Sequence, residues 1–470
     1  MDSQTLQNRV SALWDERIVP ALIEFIRIPN ESPAFDKEWR EHGHMERAVT
    51  LAADWVAAQR LAGCRTEVLR GAGRTPLLLV EIEARGEGAA LIYGHLDKQP
   101  PMTGWREGLG PWTPVLRDGR LYGRGGADDG YAVFAAAAAL KALQEQGLPH
   151  PRVALLIECS EESGSPDLPA HLATAGGRIG EPDLVVCLDS GCGDYDRLWC
   201  TTSLRGLVTA TLTVGVLSEG VHSGMAGGIV PSPLRILRRL LDRLENPDTG
   251  EIHPEAFRVP IPPLRIEQAQ LAAETLGQDP VKDFPFLEGV RAQSDSVADL
   301  LIASSWKAAL AITAQQGLPD LEHGGNVLLP QVTCKLSLRI PPTLEPGKAG
   351  QALKSLLEAD PPYGAKVTLS GGGMAGWEAP PLAPWLARAW EDASRELFGA
   401  EARFFGAGGS IPFMQMIGSR FPGAQVLTTG VLGPHSNAHG PNEFLHIPFA
   451  KRLTCAVARV LQARARLRSA

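Results

Sequence analysis

The chain has 470 residues, 44% of them hydrophobic and 21% charged, the profile of a globular protein too long for one core, so two domains are expected. Its net charge of −8 excludes non-specific nucleic-acid binding. Seven scattered cysteines with no Cys-x-x-Cys pair exclude a disulfide framework or zinc ribbon, and neither a signal-peptide pattern after Met1 nor a run approaching roughly 20 apolar residues appears, so a cytoplasmic protein without membrane contact is expected.

In chain order, Leu6 to Ile28 and Glu46 to Ala62 carry apolar residues at helical spacing. Between Pro76 and Asp189 the pattern becomes strand and helix: strands Leu77 to Ile82, Ala89 to Tyr93, Val153 to Cys159 and Leu184 to Leu188, with a long helix over Tyr131 to Gln146. That alternation predicts a mostly parallel α/β sheet whose loops gather at the strands' C-terminal ends. From Arg205-Gly206 the pattern changes to a half-exposed strand (Leu207 to Val216), a helix (Pro233 to Leu244), a strand (Val332 to Ile340), a helix (Gly347 to Leu357) and a strand (Ala365 to Leu369), a small α+β unit. The stretch Glu245 to Ser305, rich in proline and charge, shows no assignable period. After Gly371-Gly372-Gly373 the α/β character returns with helix Leu382 to Phe398, strand Gln425 to Thr429 and helix Ile447 to Leu467. The expected division is therefore a discontinuous α/β domain, 1–204 and 374–470, with 205–373 inserted and glycine hinges at Arg205-Gly206 and Gly371 to Gly373.

Each strand end in the α/β part delivers an imidazole or a carboxylate: Gly94-His95-Leu96-Asp97, Glu161-Glu162, Asp189-Ser190-Gly191, and His435 to Glu443. Asp128-Asp129 opens the long helix after a glycine-rich loop that lacks the Lys-Ser/Thr of a phosphate loop. Taken singly, these residues have ordinary explanations: Asp128 or Asp129 as a helix cap, Asp189 as a turn residue, Glu161-Glu162 as a solvated acidic turn. Together, two histidines and several carboxylates on one rim form the nitrogen and oxygen set suited to zinc, manganese or cobalt. The excess of carboxylates favours two divalent ions bridged by one of them, with a water acidified for attack on a carbonyl. His435 stands near His439, but Gly433-Pro434 and Gly440-Pro441 exclude a helix that would align the two.

These blocks, with Gly123-Arg124-Gly125-Gly126-Ala127-Asp128-Asp129-Gly130, Glu161-Glu162-Ser163-Gly164 and Ala438-His439-Gly440-Pro441-Asn442-Glu443, resemble in order the signatures of the M20 metallopeptidases, in particular the cytosolic dipeptidase and carnosinase-like branch. The resemblance implies an α/β catalytic domain with an inserted lid that also forms a homodimer. It implies His95, Asp128, Glu162, Asp189 and His439 as ligands of two ions, zinc foremost, with Asp128 bridging, Asp97 orienting His95 and Glu161 as general base. In the lid, His222 of Val221-His222-Ser223-Gly224 would reach the partner subunit's site. Arg339, Gly409, Ser410 and His439 would bind substrate, with Asn326 where relatives commonly carry Thr. Gly130-Tyr131 and Lys98-Gln99-Pro100 depart from the family pattern, and neither departure is expected to touch a ligand. The implied reaction is hydrolysis of an amide next to a free carboxylate in a small peptide. The alternatives are deacylation of an N-acyl amino acid at the same site, or a non-catalytic metal-binding interaction protein.

Overall fold

The computed structural model describes residues 3–467. Its centre is a six-stranded sheet of Cys64–Leu69, Leu77–Ile82, Arg152–Glu158, Ala89–His95, Leu184–Cys187 and Gln425–Thr428, in that spatial order. The last four run parallel and the first two pair antiparallel, so the parallel strands end at one edge. Alternation along each strand splits the core between two faces: Leu78, Val80, Ala90 and Ile92 point one way, Leu77, Leu79, Leu91 and Tyr93 the other.

On the first face lie the N-terminal helix that runs from Ser3 to Ile26, and the helices Tyr131–Glu145, Pro384–Phe398 and Ile447–Arg466. Tyr131–Glu145 is buried nearly all round, and its run Ala135 to Ala139 lets neighbours approach closely. Leu168–Ile179 and Pro412–Arg420 cover the second face. The sheet and its flanking helices are the mainly parallel α/β architecture expected from the strand and helix spacing.

The second sheet is antiparallel, in the order Ala309–Gln316, Gln331–Ile340, Gly206–Gly215 and Lys366–Met374. Helices Pro233–Leu241 and Pro346–Glu358 pack on one face, burying Val208, Leu212, Leu336 and Leu353. The expected hinge at Gly371 to Gly373 is corrected: all three lie inside the edge strand, paired with Ala210, Thr209 and Val208. The two connections between lobes cross instead at Gly206 and Gly376, where a Cβ on Gly206 would sit 2.9 Å from the Gly376 nitrogen. Only glycine permits that backbone approach.

The unassigned stretch forms helices Pro263–Leu276 and Val297–Trp306, which return to the α/β lobe. Arg403 Nε donates to Thr275 Oγ1 at 2.9 Å, Arg265 Nη2 donates to the Ala379 carbonyl at 2.6 Å, and Ala272 joins the α/β core. Residues 205–373 therefore include one sheet-and-helix unit of their own and one pair of helices resting on the neighbouring lobe.

Candidate metal centre

At the C-terminal edge of the parallel strands, His95 closes one strand, Glu161 and Glu162 follow the strand ending at Glu158, and Asp189 follows the strand ending at Cys187. Their donor atoms form two groups within 4.8 Å: His95, Asp128 and Asp189, and Asp128, Glu162 and His439. Asp128 belongs to both. The structure thus brings together all five residues that the sequence marks as ligands.

The first group is buried. His95 Nε2 lies 3.4 Å from Asp128 Oδ1 and 3.7 Å from Asp189 Oδ1, yet has no hydrogen-bond partner among the described residues. Its other ring nitrogen is held 3.0 Å from the Asp97 carbonyl oxygen, with the Asp97 carboxylate at 3.5 Å. In the second group His439 Nε2 lies 3.0 Å from Asp128 Oδ2 and 3.4 Å from Glu162 Oε2, while Glu162 Oε1 is buried without a partner. Such orphaned donors cost free energy unless a ligand satisfies them. Two donors bound at about 2.0–2.1 Å in a tetrahedral zinc shell lie roughly 3.4 Å apart, so spacing and chemistry both fit a divalent ion at each group.

The crowded charges pull protons in opposite directions. Burial first, then the Asp189 charge, pushes the Glu161 carboxyl well above the usual carboxylate range. Glu162 is pushed up to about 8, by burial and then by Asp128. Burial alone would lower both imidazoles, but the carboxylates prevail: Asp189 leads in raising His95 well above its ordinary value, and Asp128 leads in raising His439 to about 9. Divalent cations would replace these shared protons.

Asp97 does more than face His95. Its two carboxylate oxygens accept the backbone amides of Glu161 and Glu162, at 3.1 and 3.0 Å, fixing the turn that presents the pair. Asp129, whose position suggests a helix cap, instead accepts the His95 amide at 3.2 Å. A Cβ on Gly94 would sit 2.6 Å from that same Asp129 oxygen, which explains the glycine before His95.

Several residues at the site escaped the motif reading. Gln99 Nε2 donates to Glu162 Oε2 at 2.6 Å, so the departure Lys98-Gln99 does touch a candidate ligand, contrary to expectation. Lys98 itself points away, its ammonium held by the carbonyls of Phe25 and Ile28. Arg124, fully buried, pairs with buried Glu443 at 2.6 Å and donates to the carbonyls of His439 and Gly440. That grip is needed because His435, Asn437, His439 and Asn442 all adopt positive φ, a conformation non-glycine residues rarely hold unsupported. His435 takes no part in either donor group and faces Asp283 at 3.2 Å.

The remaining marked residues form two separate sets. Arg339 Nη1 donates to Ser410 Oγ at 3.3 Å beside the lobe crossing, and the space next to Gly409 is open. His222 and Asn326 are exposed on the short ribbon that pairs Val221–His222 with Val327–Leu328, where the Asn326 carbonyl accepts the Ser223 amide. Within the described residues of one chain, this ribbon does not join the donor groups.

Comparison with known proteins gives the family and the fold. The peptidase family M20/M25/M40 matches residues 91–463. A cysteinylglycine-S-conjugate dipeptidase of Corynebacterium striatum is 28% identical over 378 residues, 77% of this chain and 79% of that protein. The human Beta-Ala-His dipeptidase is 26% identical over 431 residues, 86% of this chain and 82% of its own. Among solved structures, human carnosine dipeptidase 1 superposes with a TM-score of 0.78 at 22% identity, over 99% of both chains. The di-peptidase Dug1p of Saccharomyces cerevisiae gives 0.79 at 20% identity, again over 99% of both.

Proposed function

This chain belongs to the M20/M25/M40 peptidase family and is a metal-dependent enzyme acting on peptide bonds as a dipeptidase, and from that premise we propose how its own residues divide the work. The observation that carries the reading is the pair of donor groups sharing Asp128, with the Glu161 carboxylate beside them. His95, Asp128 and Asp189 would hold one ion, and Asp128, Glu162 and His439 the other, zinc in both. When bound, such ions polarise the scissile carbonyl and acidify a water at neutral pH.

Glu161 takes the proton from the attacking water and passes it to the leaving amine. Asp97 keeps that carboxylate in place through the backbone of the pair. Arg339 and Ser410 hold the substrate's free carboxylate. Residues 205–373 act as lid and dimerisation domain on the catalytic domain 1–204 and 374–470. His222 and Asn326, exposed together on the ribbon, are suited to entering the site of a second copy, so the working unit is a homodimer in which His222 of the partner subunit polarises the carbonyl. All seven cysteines are free, six of them buried, which supports a reducing compartment such as the cytoplasm. No helix among the described residues is long and apolar enough to cross a membrane.

A panel of dipeptides against N-acetyl and N-succinyl amino acids, each with zinc, manganese and cobalt, tests the reaction. Dipeptide turnover that is abolished by a chelator and restored by metal is expected. Turnover of acylated amino acids alone would move the chain to the deacylase reading, and none with any metal to the non-catalytic one.

Subunit mixing tests the shared site. His222→Ala and Glu161→Gln subunits, each inactive alone, are expected to regain about one working site per mixed dimer, because the lid of one completes the intact base of the other. Mixed dimers as inactive as their parents would place His222 in its own chain's site.

A further inference from the structure

Two arginines meet at the lobe crossing with no acidic partner among the described residues. Arg205 and Arg339 are both partly buried, and no carboxylate influences either; Arg205 is pushed down to about 10 by burial and by the Arg339 charge. Arg205 also ties down a whole loop. Its amide donates to the Ala407 carbonyl at 3.4 Å, its Nε to the Gly408 carbonyl at 3.3 Å, and its carbonyl accepts the Ser410 hydroxyl. That hydroxyl in turn accepts from Arg339. A Cβ on Gly408 would fall 3.0 Å from the Arg205 guanidinium and 2.9 Å from the Ser304 carbonyl, so the loop passes in contact over the charge. On another side Arg205 lines an open cavity of about 1140 Å³ with Ser304, Trp306 and Lys307, so its charge is not sealed from solvent.

We infer that Arg205 is a positioning residue of the carboxylate clamp, its guanidinium holding the Gly408 carbonyl at the start of the Ser410 loop and adding the second positive charge that draws a substrate carboxylate to Arg339. Two like charges held together in a part-buried site repel, and an anion shared between them relieves that repulsion. Arg205 also lies between the strands Trp199–Leu204 and Gly206–Gly215 and, through Nη1, reaches the Lys307 carbonyl at 3.4 Å. The same guanidinium therefore holds the carbonyls of both Gly408 and Lys307. This inference rests on the dipeptidase reading, which fails separately if the wild-type enzyme cleaves no dipeptide with any metal.

The test compares a dipeptide with its C-terminal amide on wild type, Arg205→Ala and Arg205→Lys, with metal content measured throughout. Arg205→Ala is expected to raise KM for the dipeptide about 10- to 100-fold, the scale of a charge-assisted hydrogen bond, with a much smaller change in kcat. KM for the amide and the metal content should stay near wild type, and Arg205→Lys should recover part of the loss. Equal effects on dipeptide and amide, or an unchanged dipeptide KM, would overturn the assignment. Should Arg205→Ala fail to fold, Arg205→Lys carries the comparison, and a lysine variant that treats both substrates as wild type does would overturn it equally.

Discussion

Replacing Glu161 with glutamine is expected to lower kcat by about 10²–10⁴-fold, the usual contribution of general acid–base catalysis, while leaving both ions bound. Glutamine keeps the size of the side chain and removes only its capacity to take a proton. Among the described residues no hydrogen bond to the Glu161 carboxylate is present, whereas its backbone is anchored to Asp97, so the substitution leaves the turn intact. The ions should stay because Glu161 belongs to neither donor group. Metal analysis by mass spectrometry alongside steady-state rates separates the two effects. A variant holding two ions and turning over as fast as wild type would remove Glu161 from the mechanism, and one that loses an ion would make it a ligand.

The second large effect concerns Asp128. Because its two oxygens face different groups, Oδ1 toward His95 and Oδ2 toward His439, Asp128→Ala should empty both positions and abolish turnover. Asp189→Ala removes a donor from the first group only, so it should retain close to one ion per chain. Equal metal content in the two variants would show that the ions do not share a carboxylate. The comparison is internally controlled, since each change deletes one buried carboxylate from the same crevice.

How much of this was readable beforehand depends on where the determining contacts lie. The candidate ligands were legible because each stands at the end of an apolar strand or at the start of the buried helix, and strand order alone brings those ends to one edge. The helices at 263–306 were not. The buried face of Pro263–Leu276 consists of Arg265, Ala269 and Ala272, correctly spaced but carrying little hydropathy, so no apolar stripe announces it. Gln99 and Arg124 were hidden for another reason. Their partners, Glu162 and Glu443, lie 63 and 319 residues along the chain, and no local pattern encodes such a pairing. The hinge was misplaced because glycines in a row suggest freedom, whereas all three are paired in an edge strand and Gly371 and Gly373 lie against its neighbour's backbone.

The Arg124–Glu443 pair has a bearing on how the enzyme comes to exist during synthesis. His95, Asp128 and Asp189 all precede the inserted residues 205–373, so one donor set is drawn from a single stretch of the chain. The other waits for His439, and the buried guanidinium meant to grip that loop waits with it, without its carboxylate, until Glu443 leaves the ribosome. One candidate ion position is therefore built from residues close together in the sequence, whereas the other closes only when the His439 loop folds back onto Asp128 and Glu162.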